Sequence, residues 1–175
     1  EGLDIIVKKT GATGEAMDEL EQSFKNVFGS IPTTADKAGI AIGEVNTKFG
    51  ATGETLEELS RLFIQFAEIN DADLNSSIDS TSHLMQQWNL DISQTPNLLG
   101  LISSEAQRTG IATNTLMASL EKNGSTFKEL GLSIDQSIVL LANFEMAGVD
   151  TGTALAALRK SASAYTAEGK TMQQG

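Results

Sequence analysis

The stretches GATGEAMDEL (residues 11–20) and GATGETLEEL (residues 50–59) are identical at seven of ten positions. Each begins with a glycine, which can end a helix in the left-handed conformation, and Thr13 or Thr52 follows where a capping residue opens a new helix. The acids behind them suit the first turn of a helix. The two stretches predict helical corners, and the likeness indicates either a duplicated helical hairpin or convergence on helix-capping residues.

Three further corners have the same grammar: 110–113 (GIAT), 131–133 (GLS) and 148–150 (GVD). Phe127 and Phe144 stand five residues before the apolar residue of the last two corners, the spacing of a Schellman ending. The second half of the chain does not otherwise repeat the first, and a sustained solenoid needs at least three similar units.

Apolar residues recur at helical spacing between these corners. The best strand candidate, Leu3 to Val7, has no partner strand. We therefore predict an all-α fold, a compact multi-helix bundle of hairpins joined by glycine-containing corners. Its helices are expected near residues 14–28, 34–48, 54–70, 74–88, 95–109, 114–123, 134–147 and 151–166, with a short turn near 125–130.

The length of 175 residues predicts one helical domain, 1–175, with a possible seam between subdomains near residues 89–96. The small-xxx-small pair Gly39 and Gly43 predicts one close helix crossing, and Trp88 is expected to anchor the core with its N–H bonded. Three helices show clear core stripes, formed by Leu56, Leu59, Phe63, Phe66 and Ile69; by Ile134, Ile138, Leu141 and Phe144; and by Leu155, Leu158, Ala162 and Tyr165.

The formal charge of −11 is uneven, because fifteen acids face six bases up to Asp79 and eight face six beyond it. No basic cluster offers a nucleic-acid surface, and no apolar run reaches the length of a membrane span. The chain has no cysteine, which excludes disulfides and thiol chemistry. It starts at Glu1 without a methionine, so we expect a fragment of a longer protein.

No constellation predicts chemistry. His83 is the single histidine and lacks partners for a metal site or a catalytic triad. The stretch from Asp71 to Asp79 opens like a calcium loop but has Ser76 and Ser82 where glycine and a bidentate acid are required, so a capped helix start explains it better. Glu57 and Glu58 are sequence neighbours and should diverge on a helix. We predict no catalytic, metal or cofactor site, and no enzyme.

Two long blocks, residues 41–70 (AIGEVNTKFGATGETLEELSRLFIQFAEIN) and 131–160 (GLSIDQSIVLLANFEMAGVDTGTALAALRK), resemble the core region of the tape-measure proteins of long-tailed bacteriophages. The likeness spans Asp36 to Arg159. It implies a structural protein that lies in the tail tube, sets tail length and leaves ahead of the DNA. The implied partners are the tail tube protein, tail assembly chaperones and tail-tip proteins, with possible self-association; the implied location is the tail lumen, after assembly in the host cytoplasm.

Two alternatives stay open at the level of sequence. A general helical interaction module would show an exposed apolar patch of several hundred Å². A cell-wall-acting enzyme fragment would show a zinc site or an acid pair, and the sequence offers neither.

Overall fold

The structure, a computed structural model, describes residues 1–167. Every regular element in that range is helical, which confirms the all-α prediction. The helices are α1 (Gly2–Thr10), α2 (Glu15–Phe28), α3 (Ala35–Phe49), α4 (Gly53–Ile69), α5 (Leu74–Gln87), α6 (Thr95–Thr109), α7 (Thr113–Glu129), α8 (Ile134–Met146) and α9 (Thr151–Ala167), with a 3₁₀ turn at Ile92–Gln94 before α6.

The helices stack in two layers. The odd-numbered helices α1, α3, α5, α7 and α9 follow one another in the odd layer, and α2, α4, α6 and α8 do so in the even layer. Each helix packs mainly against the next helix and the next but one, as in an α-solenoid. The stacking continues through the second half, where the sequence no longer repeats, because packing geometry requires apolar positions rather than particular letters.

The two repeated corners have the same backbone. Gly11 and Gly50 both adopt φ 65° and end α1 and α3, and Gly14 and Gly53 adopt φ 59° and 55° at the start of α2 and α4. The predicted threonine caps are wrong, because neither Thr13 nor Thr52 accepts a capping hydrogen bond there. The positive φ of the second glycine turns the chain into the helix instead.

The predicted Schellman endings are confirmed. The backbone N–H of Leu132 donates to the Phe127 carbonyl at 3.1 Å, and that of Val149 donates to the Phe144 carbonyl at 2.9 Å. The sequence did not reveal two more endings of this kind. Asp71 (φ 48°) ends α4 and Asn89 (φ 51°) ends α5, each taking the left-handed conformation that glycine takes elsewhere.

The capping box before α8 is also present, since Ser133 accepts from the backbone N–H of Gln136 while the Gln136 side chain accepts from that of Ser133. The corner at Gly110 differs from the prediction. Thr113 is the first helical residue and is buried, and Ala112 precedes it without a side-chain cap.

The strand candidate Leu3 to Val7 is wrong, because these residues form α1. The predicted close crossing at Gly39 and Gly43 is the reason that so short a helix docks. A methyl group on Gly39 would collide with the backbone oxygen of Gly2 and lie 2.9 Å from its Cα. Ile6 of α1 is then fully buried against the core.

The predicted end of a helix at residue 123 is wrong, because α7 runs unbroken to Glu129 and absorbs the turn expected at 125–130. Gly124 lies buried inside it, where a methyl group would collide with the side chain of Gln87 on α5. The glycine serves close packing of α5 on α7.

The core contains most of the predicted stripes, including Leu56, Phe63 and Ile138. Ile69 is wrong, since it is 69% exposed at the end of α4. Trp88 packs partly buried against the core, but its indole N–H has no hydrogen-bond partner among the described residues, which contradicts the expected bond. The seam near 89–96 stays a prediction.

Candidate functional site

The odd layer carries one ion pair at each junction between successive helices. Lys9 of α1 pairs with Glu44 of α3, and Lys48 of α3 pairs with Asp79 of α5. At the next junctions, His83 lies 3.5 Å from Glu121, and Arg159 lies 3.4 Å from Glu129. We call these four pairs the ladder. They fix the register of neighbouring helices.

The second pair of the ladder shifts the ionisation of both partners. The hydrogen bond from Lys48 lowers the pKa of the Asp79 carboxyl, and the same bond raises the pKa of the Lys48 ammonium. Both side chains are partly exposed, at 33% for Lys48 and 44% for Asp79, so solvent weakens the pair. It aligns α3 with α5 and offers no chemistry.

His83 lies on the surface of α5 between two acids. Its Nε2 is 3.9 Å from Asp79 and its Nδ1 is 3.5 Å from Glu121. Within residues 1–167, no group of three or more metal-ligating side chains is close enough to hold an ion. The arrangement joins α5 to α7, which agrees with the prediction of a structural or surface role.

The calcium-like stretch is a helix start. Asp73 caps α5 by accepting from the backbone N–H of Ser76 at 2.8 Å, and this bond lowers the pKa of the Asp73 carboxyl. Asp71 is the left-handed residue of the preceding corner. The two acids therefore hold a corner, each with a different local function.

Glu57 and Glu58 diverge as predicted. Glu57 binds Arg61 at 3.1 Å and accepts from Asn26 at 2.8 Å, whereas Glu58 is exposed. A groove of about 500 Å³ lies between α7 and α9, lined by Arg159, Lys160 and small polar residues. It holds neither an acid pair nor a nucleophile beside a base.

Charge is divided between the two layers. The helices of the even layer contain eleven acids and three bases, whereas those of the odd layer contain six acids and eight bases. In the even layer, Lys25 pairs with Glu21 at 2.7 Å, but the acids that open α2 and α4 are mostly unpaired in the described part of the chain. The acidic face and the ladder are the features that the molecule offers to its surroundings.

None of the helices described is long and apolar enough to cross a membrane. A family model for a phage-related minor tail protein matches residues 21–175, which is most of the chain. The chain belongs to the phage-related minor tail protein family. A search of the curated proteins found no match to this minor tail protein, and a search of the solved structures found none either.

Membership gives the minor tail protein a structural role in the phage tail, and the virion tail is its location. The sequence did not indicate the ladder. Partners lie 31 to 38 residues apart where both are Lys, Asp, Glu or His of successive odd helices, and charge spacing near the repeat length is the signal that could have found them.

Proposed function

We propose that this minor tail protein is a segment of a tape-measure protein, which sets tail length during assembly and leaves the tube ahead of the DNA. The family match carries the tail role. The resemblance of residues 41–70 and 131–160 to the tape-measure core region supports the finer assignment. The tail tube protein, tail assembly chaperones and tail-tip proteins would be its partners, and the tube lumen its location.

The architecture supports a structural role without catalysis. The helices contact near neighbours along the stack, so the chain builds length by adding hairpins rather than by folding around a central site. The polar groups described so far, including the ladder, hold helices in register. A tail component with these properties contributes shape, and we propose no reaction for it.

Tail length by electron microscopy, after in-frame deletion of residues 1–167 from the parent gene, tests the proposal. A ruler segment stretched as one helix would shorten the tail by about 250 Å, at roughly 1.5 Å per residue. A segment that keeps its folded stack would shorten it by only about 40 Å, since five odd helices have axes spaced by roughly 8–10 Å.

Both shortened classes support a ruler and distinguish an extended from a folded segment in the tube. Intact tails of unchanged length contradict the role in length determination. Complete loss of tails contradicts a simple ruler and assigns the segment to the start of assembly. A control deletion of equal length elsewhere in the parent chain calibrates the change per residue.

A further inference from the structure

Helix α9 carries an apolar stripe that the described chain leaves open. Leu155, Leu158, Ala162 and Tyr165 repeat at helical spacing, but only Leu155 is buried. Leu158 is 38% exposed and Tyr165 40% exposed. The residues that line the groove towards α7 are others, among them Arg159, so Leu158 and Tyr165 do not face that neighbour.

The neighbouring helix α8 adds to this surface. Leu140 and Phe144, one turn apart, are only partly buried although both pack against the core. We call Leu140, Phe144, Leu158, Ala162 and Tyr165 the terminal apolar surface. Of the large apolar side chains exposed in residues 1–167, most lie on α8, α9 or the corner between them.

The stack shows what such a surface accommodates. Helices α3, α5 and α7 each contact two even-layer helices, the one before and the one after in the chain. Within the described residues, α9 contacts only α8 of that layer. The terminal apolar surface therefore continues an established interface, at the position that α4 takes beside α3.

We propose that the terminal apolar surface docks an amphipathic α-helix of another polypeptide, which extends the even layer by one helix. The occupant has an apolar stripe like that of α4, with Leu56, Leu59 and Phe63, and about the same length, since α4 and α9 both have 17 residues. Helix-in-groove binding of this kind is read out by anchors at i, i+3, i+4 and i+7.

Charge specifies the occupant further. Helix α9 carries Arg159 and Lys160 and no acid, and Lys160 makes no ion pair among the described residues. The even layer is the acidic layer of the molecule. The occupant is therefore an acidic helix, for which the cations of α9 speed association and select against basic competitors.

A peptide with the sequence of α4, GETLEELSRLFIQFAEI, is the probe, because it combines the required stripe and charge. Its binding to the 175-residue protein is followed by fluorescence anisotropy. The double variant L158S/Y165S should weaken binding by roughly tenfold or more, since central apolar anchors dominate such interfaces. The matched control V7S, which changes an exposed apolar residue at the other end of the stack, should bind like the parent.

Two peptide controls separate the contributions. Serine at Leu56, Leu59 and Phe63 of the peptide should abolish binding, and lysine at its Glu54 and Glu57 should weaken binding less at high salt than at low salt. Circular dichroism melts of both protein variants should match the parent, because the altered residues are exposed.

Three results overturn the proposal: no saturable binding of the α4 peptide, equal loss in V7S and L158S/Y165S, or binding by the serine peptide. Sedimentation of the protein alone tests for a second copy as occupant, and self-association that L158S/Y165S abolishes also overturns it. None of these results depends on tail length, so the proposed ruler function is tested separately.

Discussion

Replacing Gly39 by alanine should destabilise the protein, although alanine is the better helix former. Gly39 faces Gly2 where α3 crosses α1. The added methyl would lie 2.9 Å from the Cα and 3.0 Å from the carbonyl carbon of Gly2, and closer still to its oxygen. These are backbone atoms, so no rotamer change can relieve the contact, and α1 must move away.

The magnitude is a difference of two terms. Overpacking a close contact costs about 1–3 kcal/mol, and the rigid backbone here argues for the upper part of that range. Alanine returns about 1 kcal/mol relative to glycine inside a helix. The net loss is about 1–2 kcal/mol, which lowers the melting temperature by about 2–8 °C in a domain of this size.

Gly100→Ala is the matched control, because Gly100 is an exposed glycine of α6 with no atom near the position of the added methyl. It should stabilise the protein by about 0.5–1 kcal/mol through helix propensity alone. Urea unfolding followed by circular dichroism gives both values. If Gly39→Ala raises the unfolding midpoint as Gly100→Ala does, the close crossing of α1 and α3 is refuted.

Three further predictions concern the corners and the ladder. Asn89→Ala should lower the unfolding free energy by about 1–2 kcal/mol, while Asn89→Gly should not, because only the alanine is strained at positive φ; equal urea midpoints would contradict this. The lowered pKa values of Asp73 and Asp79 stabilise the fold above their ordinary value near 4 and that contribution is lost as pH falls through the folded values, so urea midpoints should drop below about pH 4 and drop less in Asp73→Ala. A double-mutant cycle on Lys48 and Asp79 should give a coupling of about 0.2–1 kcal/mol that shrinks with added salt; a salt-independent coupling would contradict the exposed geometry.

The sequence predicted the corners that glycine makes and missed those that other residues make. Gly50, Gly131 and Gly148 end helices as expected, because a glycine before a capping residue has few other uses. Asp71 and Asn89 adopt the same left-handed conformation, but they also occur commonly as caps and in loops. Their role was therefore not separable from a helix start or a linker.

Tertiary contacts explain the remaining differences. Residues 3–7 alternate too little to distinguish a strand from a helix, and the decisive fact, a glycine face on α3, lies more than thirty residues away. Gly124 shows the same limit, since a glycine looks like a helix end until the partner helix is known. Propensity gave the local options, and close packing selected among them.

The ladder could not be predicted from local pattern, because its partners belong to different helices. Lys9 and Glu44 are ordinary surface charges until α1 and α3 are placed side by side. Once the helices are stacked, every junction of the odd layer has its own pair, so register is held locally. The stability of such a stack is close to a sum of neighbour terms.

That additivity bears on the proposed passage through a tail tube. Helix α9 buries only Thr151 and Leu155, whereas α3 buries six residues between two neighbours in its own layer. A stack with nearest-neighbour contacts opens from the end with the smaller interface, one hairpin after another, rather than in one step. Amide hydrogen exchange should therefore be fastest in α9 and slowest in α3 to α5, and uniform exchange across all nine described helices would show that the stack unfolds as a single cooperative unit.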